Sequence, residues 1–162
     1  MGKSGATGLR FYGQYLQRLD DKNRVVVPRR FRDIIGEAEL RGGLVLTRGF
    51  DKCLFLFPRS LWGQVAGEFS AAHFTSYDAR TLQRLFFSKA VDVEPDKTGR
   101  ILLPDLHRRM AGIEDEALFV GASNRIEVWS PSRWADLEQA HDEQFEELAE
   151  RFYQALEKRP GS

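Results

Sequence analysis

Two stretches of this chain repeat one another, and an internal repeat has to be recognised before any other feature because it decides how many structural units the fold contains. Residues 19–28 read Leu-Asp-Asp-Lys-Asn-Arg-Val-Val-Val-Pro and residues 95–104 read Pro-Asp-Lys-Thr-Gly-Arg-Ile-Leu-Leu-Pro. Asp20 and Asp96, Arg24 and Arg100, and Pro28 and Pro104 are each 76 positions apart, and Gly36 and Gly112 keep the same offset. Each copy reads as an Asp-x-x-x-Arg turn, an aliphatic strand, a proline opening a helical turn, and a glycine stop. Further on, Leu44–Leu46 and Leu54–Phe57 correspond to Leu118–Val120 and Ile126–Trp129, two hairpins followed by Trp62 and Trp134.

The turn has a local rationale. Asp20 and Asp96 are placed to accept backbone N–H groups further along the turn, and Asn23 and Gly99, just before each arginine, are residue types that tolerate a left-handed backbone. Val25–Val27 and Ile101–Leu103 are consecutive apolar residues, which predicts strands buried on both faces. Arg24 and Arg100 therefore stand where an exposed turn enters a rigid strand.

At 162 residues and 42% hydrophobic, the chain is sized for one domain of two halves. It has no apolar run long enough for a membrane span and no N-terminal signal pattern, so a cytoplasmic protein is expected. Cys53 is the only cysteine and is expected to be a packed small residue. Formal net charge is zero, but it is a cancellation. Arg18, Lys22, Arg24, Arg29, Arg30 and Arg32 outweigh Asp20 and Asp21 in one stretch, while residues 135–157 hold eight acidic residues against Arg151. Such separation suits a surface that faces a polyanion and an opposite solvating pole.

Trp134, Leu137, His141, Phe145, Leu148, Phe152 and Leu156 fall at helical steps and predict one C-terminal helix, started by Ser130-Pro131. Ser60 to Phe69 and Asp78 to Phe87 predict two connector helices between the copies. Residues 1–10 and 158–162 read as tails. His73, His107 and His141 have no metal-ligand spacing, and no nucleophile elbow or phosphate loop occurs, so no catalytic residue is assigned and each histidine is expected on a surface or a helix face. The carboxylates Asp92, Glu94 and Asp96 are better read as a solvated strand edge than as a metal site; no cofactor or metal is expected. The expected division is a first unit over 14–61, a helical connector over 62–89, a second unit over 90–133 and the C-terminal helix over 134–157.

The pattern Phe11-x-Gly13, Leu19-Asp20-x-Lys22-x-Arg24-x-x-x-Pro28, Leu46-Thr-Arg-Gly49-x-Asp51-x-Cys53-Leu54-x-Leu56-x-Pro58 and Asp96-x-x-Gly99-Arg100-x-x-x-Pro104 resembles the bacterial MraZ family over nearly the whole chain. The resemblance implies two SpoVT/AbrB-type units in an α+β fold, mainly β with helices, in which hairpins from the tandem copies are swapped into a pseudo-two-fold, double-split β-barrel. It also implies a DNA-binding transcriptional regulator, a repressor of its own division and cell-wall gene cluster, binding short G-rich direct repeats of double-stranded DNA in the promoter as a ring-shaped homo-oligomer associated with the nucleoid. Carried over by position, the DNA-contacting arginine is Arg24, with Lys22 beside it and Arg100 as its counterpart; Asp20, Asn23, Asp96 and Gly99 shape the turns. Arg29, Arg30 and Arg32 are candidate phosphate contacts. This chain has Asn23 where the family typically has glycine, and its second copy is more acidic, so the first copy is expected to dominate recognition. Two alternatives stand beside this reading. Arg24 and Arg100 would be mere braces for Asp20 and Asp96, or the chain would be an antitoxin-like module neutralising a toxin partner.

Overall fold

The computed structural model describes residues 8, 10–71 and 73–161, so the reading of residues 1–7, 9 and 162 as tail, Lys3 included, lies outside the described residues. The chain divides into two units, Met1–Pro131 and Ser132–Ser162.

In the first unit each copy supplies four strands. The first copy gives β1 (Phe11–Arg18), β2 (Arg24–Val26), β3 (Leu44–Arg48) and β4 (Leu54–Pro58); the second gives β5 (Val91–Val93), β6 (Arg100–Leu102), β7 (Glu116–Ser123) and β8 (Ile126–Trp129). An antiparallel sheet of six strands runs β1-β7-β8-β4-β3-β5, and β2 and β6 form a separate two-stranded ribbon. Both edge strands therefore lie against the opposite copy's hairpin, β1 on β7 and β5 on β3. This is the α+β, swapped-hairpin arrangement that the family resemblance implies.

Register carries the symmetry. In the ribbon, Arg24, Val25 and Val26 face Leu102, Ile101 and Arg100; exchanging residues 76 apart maps this pairing onto itself, with Val25 and Ile101 on the axis. At the sheet centre Leu54, Phe55 and Leu56 face Val128, Glu127 and Ile126, and there an exchange of residues 72 apart maps the pairing onto itself, with Phe55 opposite Glu127 on the axis. The outer pairs Leu44–Val93 and Leu46–Val91 are matched by Ala117–Gln17 and Phe119–Tyr15. Leu44 thus corresponds to Ala117 rather than to Leu118, one residue away from the sequence alignment. The reason is the hairpin loop, which holds residues 49–53 in the first copy and only 122–125 in the second.

Leu44, Leu46, Leu54, Leu56, Phe119, Ile126 and Val128 are fully buried and form the centre of the core. Each contributes about 1.5–3 kcal/mol by leaving water. The ribbon strands were expected to be buried on both faces, and they are not. Val25, Val27, Ile101 and Leu103 are buried, whereas Val26 is only partly covered and Leu102 is exposed. A two-stranded ribbon has one face on the core and one face open, so its residues alternate.

Each ribbon strand leads through its proline into a short helix, α1 (Arg29–Ile35) or its counterpart, the α-helix Asp105–Ala111. The prolines sit one residue before each helix with extended ψ, ending the strand and aiming the chain. Gly36 and Gly112 then stop the helices at positive φ. After α1 comes α2 (Glu37–Arg41), and the connector consists of α3 (Arg59–Ser70) and α4 (Tyr77–Phe87), near the predicted bounds. An aromatic cluster packs the connector: Phe69 lies parallel to Phe86 at 4.1 Å between centroids and Trp62 stacks on Phe86 at 5.6 Å. Thr47 Oγ1 of β3 donates to the Phe86 carbonyl at 3.0 Å, tying α4 to the sheet. With Asp105–Ala111 as α5, the first unit is complete.

The second unit departs from the single predicted helix. It contains α6 (Pro131–His141), a 3-10 turn (Asp142–Gln144) and α7 (Phe145–Glu157). Pro131 opens α6 as expected. The interruption falls at Asp142, a residue type whose side chain competes for backbone hydrogen bonds and disfavours helix interiors. Phe145, Leu148, Phe152 and Tyr153 of α7 are exposed.

Candidate nucleic-acid interface

The two Asp-x-x-x-Arg turns have one geometry. Asp20 Oδ1 accepts the backbone N–H groups of Lys22 at 3.0 Å and Arg24 at 2.8 Å, and Oδ2 accepts Arg24 Nε at 2.9 Å. Asp96 Oδ1 accepts the N–H groups of Thr98 and Arg100, both at 2.9 Å, plus the Thr98 hydroxyl at 2.8 Å, and Oδ2 accepts Arg100 Nε at 2.8 Å. The turns close with Asn23 N–H on the Asp20 carbonyl and Gly99 N–H on the Asp96 carbonyl. Asn23 has φ 61° and Gly99 φ 85°, the left-handed backbone expected of those residue types. The backbone N–H of Arg24 is the main reason the Asp20 carboxyl sits below the usual carboxylate range, and that of Arg100 does the same for Asp96, with the arginine side chains adding to the effect.

Each turn also locks the other copy's strand end. Val27 N–H donates to the Gly99 carbonyl at 2.8 Å, and Leu103 N–H donates to the Asn23 carbonyl at 3.0 Å. Arg32 Nε donates to the Val27 carbonyl at 2.9 Å, and Arg108 Nε to the Leu103 carbonyl at 3.0 Å. Arg32 and Arg108 are themselves 76 apart, a repeat pair that the sequence reading missed although the offset was available to find it. A Cβ on Gly99 would sit 2.7 Å from the Arg32 guanidinium carbon, so the second turn needs a glycine for this approach as well as for its φ. The two turns are thereby brought side by side: Arg100 Nη1 lies 3.5 Å from Asp20 Oδ2.

The braced arginines keep a working end. Arg24 spends Nε on Asp20 while its two Nη groups make no hydrogen bond among the described residues. Its side chain is about a third exposed (32%), as is that of Arg100 (34%). Lys22 is exposed at the tip of the first turn. Arg29 is exposed, with Asp33 at 4.0 Å, and Arg30 lies over the Tyr12 ring at 5.2 Å and donates to its hydroxyl. Arg32, a candidate phosphate contact by sequence, is instead partly buried and tied to the strand end.

Side chains singled out for other chemistry have other surroundings. Cys53 is buried at the foot of β4, its thiol donating to the Phe50 carbonyl at 3.1 Å, and burial pushes the thiol well above its ordinary pKa. His107 is on the buried face of α5, one of the two expected settings: it fills the position of Phe31, 76 residues earlier, and its Nε2 is 2.7 Å from the Lys89 carbonyl. Asp92 pairs with Arg59 at 2.9 Å. Among the described residues no group of His, Cys, Asp and Glu side chains is arranged to hold a metal ion, and no helix is long and apolar enough to cross a membrane.

Comparison with known proteins decides the family. The sequence profile described as "MraZ protein, putative antitoxin-like" matches twice, over residues 11–85 and 86–156. The chain belongs to the MraZ family. Its MraZ relatives include a protein of Roseiflexus sp. (strain RS-1), 43% identical over 132 residues, which are 82% of this chain and 89% of the relative. Another, from Moorella thermoacetica, is 40% identical over 141 residues, 87% of this chain and 95% of the relative. Both are named transcriptional regulator MraZ.

Proposed function

We propose that this chain is a sequence-specific DNA-binding transcriptional regulator that represses its own division and cell-wall gene cluster, binding short G-rich direct repeats in the promoter as a ring-shaped homo-oligomer at the nucleoid. The observation that carries the reading is the pair of adjacent, aspartate-braced arginines on the ribbon turns. A guanidinium held by Nε presents its two Nη groups end-on, a planar fork that fits O6 and N7 of guanine in the major groove. Arg24 reads base edges in this scheme, Arg100 assists while sharing Nη1 with Asp20, and Lys22, Arg29 and Arg30 supply phosphate charge. Arg32 acts by positioning the turns. Bracing and base contact thus become two uses of one side chain rather than rival roles.

In this reading residues 14–61 and 90–133 are the two units that build the ribbon, 62–89 is the connector, and 134–157 is the acidic C-terminal segment. Several turns on a ring gain affinity from effective concentration, which lets a chain of zero net charge bind tightly. The test is a salt titration of binding to the DNA upstream of the chain's own coding sequence and to a scrambled duplex, with wild type and Arg24→Ala. Wild-type preference for the native duplex, lost in a folded Arg24→Ala, supports base reading; equal binding to both by both proteins removes it.

A second reading, antitoxin-like capture of a protein partner, draws on the exposed aromatics Phe145, Phe152 and Tyr153 of the acidic α7. The folded state of that segment weighs against a tail that orders only on binding.

A further inference from the structure

A cleft of about 370 Å³ lies beside the second turn, lined on one side by Arg32, Glu37 and Arg41 of the α1–α2 corner and on the other by Asp96, Lys97 and Gly99. It changes the electrostatic reading of the second copy, whose turn looks acidic in sequence. Asp96 is already committed to Arg100, and among the described residues Arg32, Arg41 and Lys97 make no ion pair. Glu37 makes none either and occupies the first turn of α2, where the helix dipole favours its charge. Three cations from two different copies thus converge on one opening with a single uncommitted carboxylate. Like charges that face each other across a cleft repel, and an anion with several acceptor oxygens relieves that repulsion.

The pseudo-symmetric cleft beside the first turn lacks this excess. There Arg108 and Arg109 are matched by Glu114 and Asp115, and Asp21 stands at the position of Lys97. The excess is therefore a property of the second side alone.

We propose that the cleft between the α1–α2 corner and the second turn is a phosphate seat, with Arg41 and Lys97 as its neutralising cations and Arg32 as its fixed wall. The inference rests on the DNA-binding reading for its source of phosphate. Because Lys97 and Arg100 belong to one turn, a backbone phosphate seated here lies next to the base edge that Arg100 would face, so the second copy grips DNA with charge borrowed from the first. A free phosphate group is the other source of the same chemistry.

The experiment compares wild type with Arg41→Gln/Lys97→Gln. Both side chains are exposed, and thermal unfolding confirms that the variant is folded. Binding to the upstream duplex is measured against salt. Loss of the one seated phosphate lowers the slope of log K against log salt by about 0.9 while preference over scrambled DNA persists. An unchanged slope in a wild type that binds DNA overturns the seat. If wild type binds no DNA, the functional reading fails separately, and calorimetric titration with inorganic phosphate at constant ionic strength decides the seat. Saturable binding abolished in the double variant supports a free-phosphate source, and absence of binding overturns it.

Discussion

The Nη1 of Arg100 lies 3.5 Å from Oδ2 of Asp20, a carboxylate of the other copy. Asp20 therefore touches the guanidinium of both turns, at 2.9 Å in its own, whereas among the described residues Asp96 pairs with Arg100 alone. Replacing Asp20 with Asn is expected to weaken discrimination between native and scrambled DNA more than Asp96→Asn does. Competition binding with the two duplexes measures it, and equal effects would remove the cross-copy role of Asp20.

Charge and shape separate at Arg24. Arg24→Lys keeps the charge but loses the fork, so discrimination is expected to fall by about 1–3 kcal/mol while the salt dependence persists. Arg29→Gln and Arg30→Gln should do the reverse, each reducing the salt slope by about 0.9 and leaving discrimination intact.

Acid weakens both turns. The carboxyls of Asp20 and Asp96 are depressed in the folded state, so the stability they supply is fully present above the ordinary aspartate pKa of about 3.9. It is lost as pH falls below that value toward the depressed folded ones. Thermal unfolding midpoints should drop on acidification below about pH 4, with a smaller drop in Asp20→Asn/Asp96→Asn.

The two residues at positive φ before the arginines are not equivalent. Gly99→Ala places a Cβ at 2.7 Å from Arg32 on a φ of 85°, and the left-handed backbone alone costs about 1–2 kcal/mol in urea unfolding. Asn23→Gly, where φ is already 61° and a side chain is tolerated, should change stability by less than about 1 kcal/mol.

Gly121 is the pinch point of the β1–β7 pair. A Cβ there would approach the Tyr12 backbone nitrogen to 2.3 Å, and backbone cannot swing aside. Gly121→Ala is expected to release β1 from the sheet. Hydrogen exchange should rise across Phe11–Arg18 before it rises in β4; uniform protection would contradict this.

Short-range chemistry was legible in the sequence. The aspartate-capped turns, the left-handed Asn23 and Gly99, the proline exits and the two connector helices all follow from residue types within a few positions of one another. Facts that depend on which strand lies beside which were less legible. Leu102 reads as core in a run of aliphatics, and only the open face of the ribbon explains its exposure. The equivalence of Leu44 and Ala117 between the two copies hinges on a one-residue difference in loop length that apolar runs conceal. Arg32 looked like surface charge because nothing in its own neighbourhood announces the Val27 carbonyl or Gly99 of the other copy.

The exchange of edge strands has a consequence for biosynthesis. Leu16 pairs with Leu118, so during synthesis β1 has no partner in the sheet until about a hundred further residues have been made. Neither copy can complete its sheet alone, and the nascent N-terminal half carries an unsatisfied edge throughout translation. Folding is consequently a late event dominated by distant pairings, slow for a chain of this size, and the two copies are acquired or lost together.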